Sequence, residues 1–222
     1  MLGFRAGDAF ARPDPELVQA LGQIPTAILS DNMHRLFAGG TGLRPCHGEA
    51  RLQGVAFTVK TRPGDNLMVH KALDMARPGD VIVVDAGGDT SNAIIGEIML
   101  RYALSRRLAG FVIDGAVRDS GALLRAGLPV YARGITHRGP YKDGPGEIGG
   151  TVNIGGMVVG AGDVIVGDED GVLAIPLSHA AEILAAGRAQ QAREADILLS
   201  IEQGALDRGW VDQTLAGKGV KL

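Results

Sequence analysis

The strongest constraint on the fold is an alternation of short apolar runs with helical segments across the middle of the chain. A β-branched run at 81–84 and short apolar runs at 111–113 and 129–132 indicate buried strands. Segments 92–107 and 120–126, whose apolar residues recur at helical spacing, separate these runs. Strand–helix–strand units of this kind pair in parallel through right-handed crossovers. The pattern therefore predicts an α/β fold with a parallel core.

The flanking segments complete a single-domain prediction. Further helices are predicted at residues 13–21, 26–37, 66–76 and 178–202. Residues 50–61 alternate as a strand does, and the Gly- and Val-rich stretch 146–176 indicates antiparallel strands. Two Pro-Gly-Asp turns, at 63–65 and 78–80, precede the helix at 66 and the strand at 81. No change of composition marks a linker, so we expect one domain over residues 1–222, with its core at about 26–176.

Composition excludes several classes of protein. Hydrophobic residues make up 45% of the 222 residues, enough for a large buried core. A formal net charge of −3 provides no basic surface for nucleic acid or an anionic membrane. The single cysteine, Cys46, excludes an intrachain disulfide and a cysteine-cluster metal site. The first twelve residues lack the pattern of a signal peptide, and no apolar run reaches membrane-spanning length. We expect a soluble, cytoplasmic protein.

The most informative charged pair is Arg118-Asp119, directly after the predicted strand 111–113. In α/β sheets, ligands bind outside the carboxyl ends of the strands. An arginine offers a fixed fork of donors to a carboxylate, and an aspartate offers hard oxygens to Mg²⁺ or Mn²⁺. The alternative is a surface salt bridge that caps the helix beginning at Ser120.

Two other stretches, at residues 87–88 and 168–170, could bind a ligand but are also explained by ordinary turns. Gly87 and Gly88 lie between a strand and a helix, where exposed N–H groups can bind an anion, but most such pairs are turns. The stretch lacks the third spaced glycine of a nucleotide or S-adenosylmethionine loop. The acidic residues 168–170 are more typical of a tight hairpin than of a metal site.

Taken together, the motifs resemble those of a known family. Glu97 is followed, after twenty intervening residues, by Arg118-Asp119, and matching stretches occur in the same order at 64–66, 78–88 and 167–176. On these residues the chain resembles the regulator of ribonuclease activity A family, which includes bacterial 4-hydroxy-4-methyl-2-oxoglutarate aldolases. The resemblance implies a β/β/α sandwich of the swivelling phosphohistidine-domain type with flanking helices, assembled as homotrimers or homohexamers.

The resemblance also implies an activity. It predicts a class II aldolase that cleaves 4-hydroxy-2-oxoacids to pyruvate with Mg²⁺, Mn²⁺ or another divalent cation, and decarboxylates oxaloacetate as a second activity. The expected partners are the oxoacid and further copies of the chain, without nucleic acid or membrane. Lys60 and Lys71 lie outside the motif region, so a metal mechanism is preferred over an imine one.

Roles for individual residues follow from the same resemblance. Arg118 would bind the pyruvate unit and stabilise its enolate, Asp119 would hold the metal, and Glu97 would position a proton-carrying water. Asn66 and the backbone amides at the start of a helix would bind the carboxylate and keto oxygens. The residues of that helix start are Gly96, Glu97, Ile98, Met99 and Leu100.

The sequence departs from the better-known aldolases at two points. They carry an aspartate where this chain has Glu97, one methylene longer. They also use a glutamate from a neighbouring subunit's C-terminal helix, a metal-shell role for which Glu194 is the candidate here and Glu182 and Glu202 are alternatives. For each of these three, a solvated helix face is the competing explanation.

Two other functions compete with the aldolase. The first is a non-catalytic regulator that binds a ribonuclease or an RNA helicase, as the family's naming member does. The combination of Glu97, Arg118 and Asp119 favours the enzyme, because a binding protein does not need it. The second is a methyltransferase, which the missing glycine-loop pattern disfavours. His70 is expected to be a structural histidine.

Overall fold

Four neighbouring parallel strands organise the fold. The structure, a computed structural model, describes residues 3–7 and 9–221. Its strands are β1 Phe4–Ala6, β2 Arg44–Pro45, β3 Leu52–Thr61, β4 Asp80–Asp85, β5 Ala93–Ile95, β6 Gly110–Val117, β7 Val130–Ile135, β8 Gly146–Ile148, β9 Val152–Ile154, β10 Met157–Val159, β11 Val164–Asp168 and β12 Gly171–Ile175. Its helices are α1 Pro15–Leu21, α2 Thr26–Asn32, α3 Leu67–Met75, α4 Glu97–Ser105, α5 Ser120–Ala126, α6 Ala180–Glu202 and α7 Gly209–Gly217, with a 3₁₀ turn at Leu177–His179.

Strands β3, β4, β6 and β7 lie side by side in that order and pair in parallel. Helix α3 connects β3 to β4, and α5 connects β6 to β7. The parallel core predicted from the alternating pattern is thus confirmed. The antiparallel pairs β9–β10 and β11–β12 lie inside the stretch 146–176, as predicted, and β11 also pairs antiparallel with β3.

The two faces of the parallel strands are covered by different layers. On one face, Phe57, Ile82 and Ile113 belong to a core shared with α3 and α4. On the other, Val83 and Val112 share a core with β9, β10 and β12. A third apolar cluster joins α1, α2 and α6 to β11 and β12. Helices therefore lie on one side of the sheet and β-strands on the other, which is the layering of a mixed α/β domain.

The three largest differences from the predicted boundaries have identifiable causes. The helix predicted at 26–37 ends at Asn32, because His34 and Arg35 adopt left-handed backbone conformations with φ of 56° and 63°. The helix predicted from residue 92 begins at Glu97, because β5 is fully buried and pairs with β6. Strand β6 continues to Val117, four residues beyond its predicted end at 113. Strand β1 and helix α7 were not predicted.

Helix α6 has two different halves. Its first half packs against α1 and α2, and Ile183 and Gly187 are buried there. Residues 191–199 are exposed throughout. Exposed apolar side chains in this part of α6 and in the segment that follows are Ile197, Leu198, Leu199, Ile201, Leu206 and Trp210. No helix among residues 3–7 and 9–221 is long and apolar enough to cross a membrane.

A partly buried ion pair fixes the segment before α1 to the sheet. The Arg12 guanidinium donates to Asp80 through Nη1–Oδ1 at 2.5 Å and Nη2–Oδ2 at 3.0 Å, and Asp80 is fully buried. Replacing Arg12 by alanine would leave the Asp80 carboxylate buried without its partner. We expect a loss of about 3 kcal/mol in the free energy of unfolding, measured by urea titration at a fixed protein concentration.

The matched control is Arg35→Ala. Arg35 pairs with Asp31 at 2.6 Å, but both side chains are largely exposed to water. Removing this pair should change the free energy of unfolding by less than about 1 kcal/mol. Equal effects of the two substitutions would contradict the assignment of Arg12 as a structural anchor.

Candidate functional site

The loops that follow β5 and β6 meet at one edge of the sheet. Strand β5 runs parallel to β6, with Ile95 beside Val117, and the backbone N–H of Arg118 donates to Ile95 O at 3.0 Å. Glu97 therefore lies next to Arg118-Asp119 although twenty residues separate them in sequence. The structure brings together the three residues on which the family resemblance depends.

Asp119 has an unusual conformation for the residue before a helix. Its backbone is left-handed, with φ of 58°, and its side chain does not cap α5. Oδ2 instead accepts a hydrogen bond of 2.9 Å from the backbone N–H of Glu97. Arg118 Nε lies 3.8 Å from Oδ2, so the two side chains form a long ion pair, and because the Asp119 side chain does not cap α5 this pair is not the helix cap that the sequence allowed. Strained conformations of this kind are concentrated at functional sites.

Gly96 allows these two loops to approach closely. A Cβ atom built on Gly96 would lie 2.5 Å from Asp119 Oδ2 and 3.0 Å from Arg118 Nε. The backbone of Gly96 is extended, with φ of −150°, so any residue could adopt it. It is therefore the space taken by the Arg118 and Asp119 side chains that requires glycine here.

Arg118 lines two cavities. The first, which we call the basic pocket, has a volume of about 110 Å³. Its lining residues are Asn66, His70, Ile94, Ile95, Gly96, Ile98, Met99, Arg118, Pro140 and Lys142. The second, the outer cleft, has a volume of about 530 Å³ and includes Glu97, Asp119, Arg125 and His137. Arg118 is 40% exposed, and its only ion pair among the described residues is the long one with Asp119. Its guanidinium is free to bind a ligand.

Asn66 lines the basic pocket and has one side-chain acceptor without a partner. It is buried at the start of α3, and Nδ2 donates to Ile94 O at 2.9 Å and to Met99 Sδ at 3.3 Å. The side-chain oxygen Oδ1 is buried and has no hydrogen-bond partner. The Ile94 carbonyl fixes this orientation, because reversing the amide would set two acceptors against each other. The atom that Asn66 has left for a ligand is therefore an acceptor.

The structure adds a lysine that the sequence analysis did not place near the site. Lys142 lines the basic pocket together with Arg118 and His70. Burial and the positive charge of Lys142 lower the pKa of His70, while Asp74 opposes them. These effects favour the neutral form of His70. Two fixed cations, Arg118 and Lys142, remain around one small pocket, an arrangement suited to an anion with two carboxylates.

The Glu97 carboxylate is not free. Oε1 accepts from Arg101 Nε at 2.7 Å in an exposed pair on α4, and Glu97 lines the outer cleft rather than the basic pocket. Of the backbone amides predicted to bind the substrate, that of Glu97 donates to Asp119 and that of Leu100 donates to Gly96 O. The N–H groups of Ile98 and Met99, in the first turn of α4, have no partner within the helix.

Three other predicted features lie away from this site. Glu194 is exposed on the second half of α6, where Oε1 accepts from Gln190 Nε2 at 2.9 Å, and it lines neither cavity. Gly87 N–H donates to Asp85 Oδ1, and Gly88 N–H donates to Asp114 O, so neither amide is left for an anion. Asp168 caps the tight β11–β12 turn by accepting from Asp170 N–H, as the hairpin interpretation predicted.

The residues at the edge of the sheet are compatible with a divalent cation. Asp119 is 44% exposed, and only one of its oxygens is occupied, by the Glu97 amide. No group of three or more His, Cys, Asp or Glu side chains able to hold a metal occurs within the described residues of the chain. Mg²⁺ commonly binds through one or two carboxylates and completes its shell with water and substrate oxygens. One accessible carboxylate beside an open cleft suits that chemistry.

Comparison with known proteins gives the same family. Residues 26–174 match the RraA-like family described as Aldolase/RraA. A protein of Halalkalibacterium halodurans, provisionally named 4-hydroxy-4-methyl-2-oxoglutarate aldolase, is 40% identical over 169 residues, which cover 76% of this chain and 80% of the relative. A crystal structure from Pseudomonas syringae pv. tomato superposes with a TM-score of 0.80 at 26% identity, covering 89% of this chain and 97% of that one.

A second solved structure points to the family's other known role. The Streptomyces coelicolor protein RraAS2, described as an unusual member of the RNase ES inhibitor RraA family, has a TM-score of 0.77 and 28% identity. The match covers 84% of this chain and 97% of that one. The family therefore includes both proteins named as aldolases and proteins named as inhibitors of RNA processing.

Proposed function

We propose, on the premise that this chain belongs to the RraA-like family of aldolases and RraA proteins, that it is a metal-dependent pyruvate aldolase. The observation that carries the proposal is the free Arg118 guanidinium, held between the Asp119 carboxylate and a pocket that also contains Lys142 and Asn66. The proposed substrates are 4-hydroxy-2-oxoacids such as 4-hydroxy-4-methyl-2-oxoglutarate. Oxaloacetate decarboxylation is proposed as a second activity, because it passes through the same enolate.

Asp119 would hold the divalent cation, through its free oxygen or through bound water. The cation, when bound, would supply Lewis acidity toward the substrate's carboxylate and keto oxygens. Arg118 would bind the same oxygens with paired N–H donors and stabilise the negative charge that develops on the enolate. The free amides of Ile98 and Met99 lie at the positive end of α4, where they would add to this stabilisation.

The reaction requires one proton to leave and another to be delivered. The C4 hydroxyl loses its proton to a water that acts as the base. As the C3–C4 bond breaks, C4 becomes a carbonyl and the electron pair of the broken bond forms the enolate. Asn66 Oδ1, which needs a donor, would accept from that hydroxyl and orient it. Protonation of the enolate at C3 then gives pyruvate, through a water that Glu97 would position from the outer cleft.

Lys142 gives the pocket a second cation for the distal carboxylate of the substrate. A substrate such as 4-hydroxy-4-methyl-2-oxoglutarate carries a carboxylate at each end, and Arg118 can bind only one of them. Lys142 would bind the other as a point charge. Because a lysine lines the pocket, an imine mechanism has to be tested directly rather than dismissed from the sequence.

We expect EDTA to abolish pyruvate release from 4-hydroxy-4-methyl-2-oxoglutarate and added Mg²⁺ to restore it. The physical reason is that a cation is needed to polarise the keto group when no imine forms. The assay is coupled pyruvate detection, followed by borohydride treatment and intact-mass analysis. Full activity in EDTA, or a borohydride-trapped adduct that disappears in Lys142→Met, would contradict metal dependence.

Exposed apolar side chains support assembly with further copies of the chain, proposed as a trimer or a dimer of trimers. Ile98, at the mouth of the basic pocket, is 80% exposed, and a second exposed apolar group lies on α6 and α7. Such surfaces are typical of interfaces. In such an assembly, Glu194 of a neighbouring copy is the residue proposed to complete the metal shell. Light scattering that returned the 23.0 kDa monomer mass would contradict this proposal.

The second candidate function is inhibition of an RNA-processing enzyme without catalysis. The similarity to the S. coelicolor RNase ES inhibitor family favours it. A comparison of wild type with the Arg118→Ala variant distinguishes the two functions. A catalytic role predicts that the substitution removes pyruvate release, whereas a purely regulatory role predicts no pyruvate release from wild type and unchanged capture of the ribonuclease by both proteins.

A further inference from the structure

The two Pro-Gly-Asp turns have identical sequences but hold different parts of the molecule. Both aspartates, Asp65 and Asp80, are fully buried. Asp80 accepts hydrogen bonds from Arg12 and from the backbone N–H of Arg77, and none of these three residues lines the basic pocket. Asp65 makes its hydrogen bonds to two segments that form the wall of the basic pocket. Asp80 therefore shows what a buried aspartate contributes to stability alone, whereas Asp65 also holds the wall of the site.

Asp65 joins the start of α3 to the loop that carries Lys142. Its Oδ1 accepts from the backbone N–H of Leu67 at 2.9 Å, which caps the helix that begins next to Asn66. Its Oδ2 accepts from the N–H groups of Asp143 at 2.8 Å and Gly144 at 2.9 Å. Both oxygens are therefore used, one by the start of α3 and the other by the loop at 143–144.

Backbone hydrogen bonds complete the junction. The N–H of Asn66 donates to Tyr141 O at 3.0 Å, and the N–H of Tyr141 donates to Gly64 O at 2.8 Å. Lys142 thus lies between two residues, Tyr141 and Asp143, that are both bonded to the 64–66 turn. The position of the Lys142 backbone relative to Asn66 depends on this turn.

The junction needs the charged form of Asp65. Burial raises the pKa of Asp65. A larger opposite effect comes from the hydrogen bonds donated by Leu67, Asp143 and Gly144 together with the charge of Arg62, so the pKa of Asp65 is lowered overall. An asparagine would keep the size of the side chain while replacing one acceptor oxygen by an NH₂ donor. That donor would face either Leu67 N–H or the N–H pair at 143–144, so one side of the junction would be lost.

We infer that Asp65 is a positioning residue that sets Lys142 against Asn66 and Arg118, and so determines how tightly the pocket binds a second carboxylate. The inference rests on the proposed function only in assigning the distal carboxylate to Lys142. It concerns ligand binding rather than turnover. The role of Asp65 can therefore be disproved while the aldolase proposal stands, and the aldolase proposal can be disproved while the role of Asp65 stands.

The test is a double-substitution cycle read by calorimetry in the presence of Mg²⁺. Wild type, Asp65→Asn, Lys142→Met and the double variant are titrated with 2-oxoglutarate, which has two carboxylates, and with 2-oxobutyrate, which has one. We expect each single variant to bind 2-oxoglutarate about tenfold or more weakly, as when a charge-assisted hydrogen bond is lost. The double variant should be no weaker than Lys142→Met, and 2-oxobutyrate binding should change little.

Asp80→Asn is the matched control, because it makes the same change in the other Pro-Gly-Asp turn, at an equally buried carboxylate. It should lower the unfolding temperature without changing the ratio of the two dissociation constants. If Asp65→Asn does not fold, Arg62→Met serves instead, since Arg62 contacts Asp65 at 3.2 Å and Asp143 at 3.6 Å from an accessible position. It should shift the same ratio in the same direction, by a smaller factor.

Two results would overturn the inference. Additive losses in the double variant would show that Asp65 and Lys142 act independently. If the variant at position 65 or 62 weakened the binding of both ligands equally, Asp65 would have only a general structural role. Absence of pyruvate release by wild type would instead contradict the proposed function, and the binding constants would still decide for or against the role of Asp65.

Discussion

Replacing Arg118 by lysine is expected to lower turnover by about 10²–10³, although the positive charge is kept. Arg118 lies between the basic pocket and the outer cleft, where its guanidinium can donate two parallel hydrogen bonds to a carboxylate and an enolate oxygen. An ammonium group is a single point charge on a stem of different length and cannot reproduce that pair. The measurement is kcat and KM for pyruvate release at saturating Mg²⁺.

The control for this prediction is Arg35→Lys, which makes the same change in an exposed pair with Asp31. It should leave both kinetic constants unchanged. Thermal unfolding of both variants checks that neither substitution alters the fold. Turnover near that of wild type in Arg118→Lys would mean that Arg118 serves only as a salt-bridge partner of Asp119, and the proposed role in enolate stabilisation would be withdrawn.

Adding one methyl group at Gly96 should be nearly as damaging. A Cβ atom would lie 2.5 Å from Asp119 Oδ2, 2.9 Å from Arg118 Cγ and 3.0 Å from Arg118 Nε. Both functional side chains would have to move, and a displacement of about 1 Å costs on the order of 10²-fold in rate. The extended backbone of Gly96 accepts alanine without strain, so we expect the loss in kcat/KM to exceed any change in stability.

Gly217→Ala supplies the comparison, since a Cβ atom there meets nothing within 4 Å. This variant should match wild type in both activity and unfolding temperature. Calorimetry with oxalate, a planar mimic of the pyruvate enolate, adds a readout that does not require turnover. Unchanged oxalate affinity and activity in Gly96→Ala would show that the contact between the two loops is not needed for the site.

Part of this site could be predicted from the sequence. The order and spacing of Glu97, Arg118 and Asp119 indicated the family, and the position of Arg118-Asp119 after a strand indicated a ligand site at the sheet edge. The comparisons confirmed the family and support the aldolase at the level of the family's named members. Lys142 carried no such signal, because it lies in a Gly- and Pro-rich loop without periodicity. The absence of a lysine from the motif region therefore does not mean that the folded site lacks one.

The side-chain partners within the site were also beyond prediction. Whether the Glu97 carboxylate is free depends on Arg101 one helical turn away, and the sequence does not show which of several nearby charges it will pair with. The Asn66 amide was expected to bind carboxylate and keto oxygens. The structure commits its NH₂ group to Ile94 O, so an acceptor remains for a ligand.

The sequence by itself determined most of the helices and the parallel strands, because local spacing of apolar and β-branched residues decides between helix and strand. It predicted the parallel strands, the long α6 helix and the hairpin at residues 168–170. Tertiary structure alone decided which distant residues meet. The two Pro-Gly-Asp turns are identical in sequence, yet Asp80 pairs with Arg12 and Asp65 holds the loop of Lys142. Such contacts depend on packing between segments tens of residues apart, which no local pattern encodes.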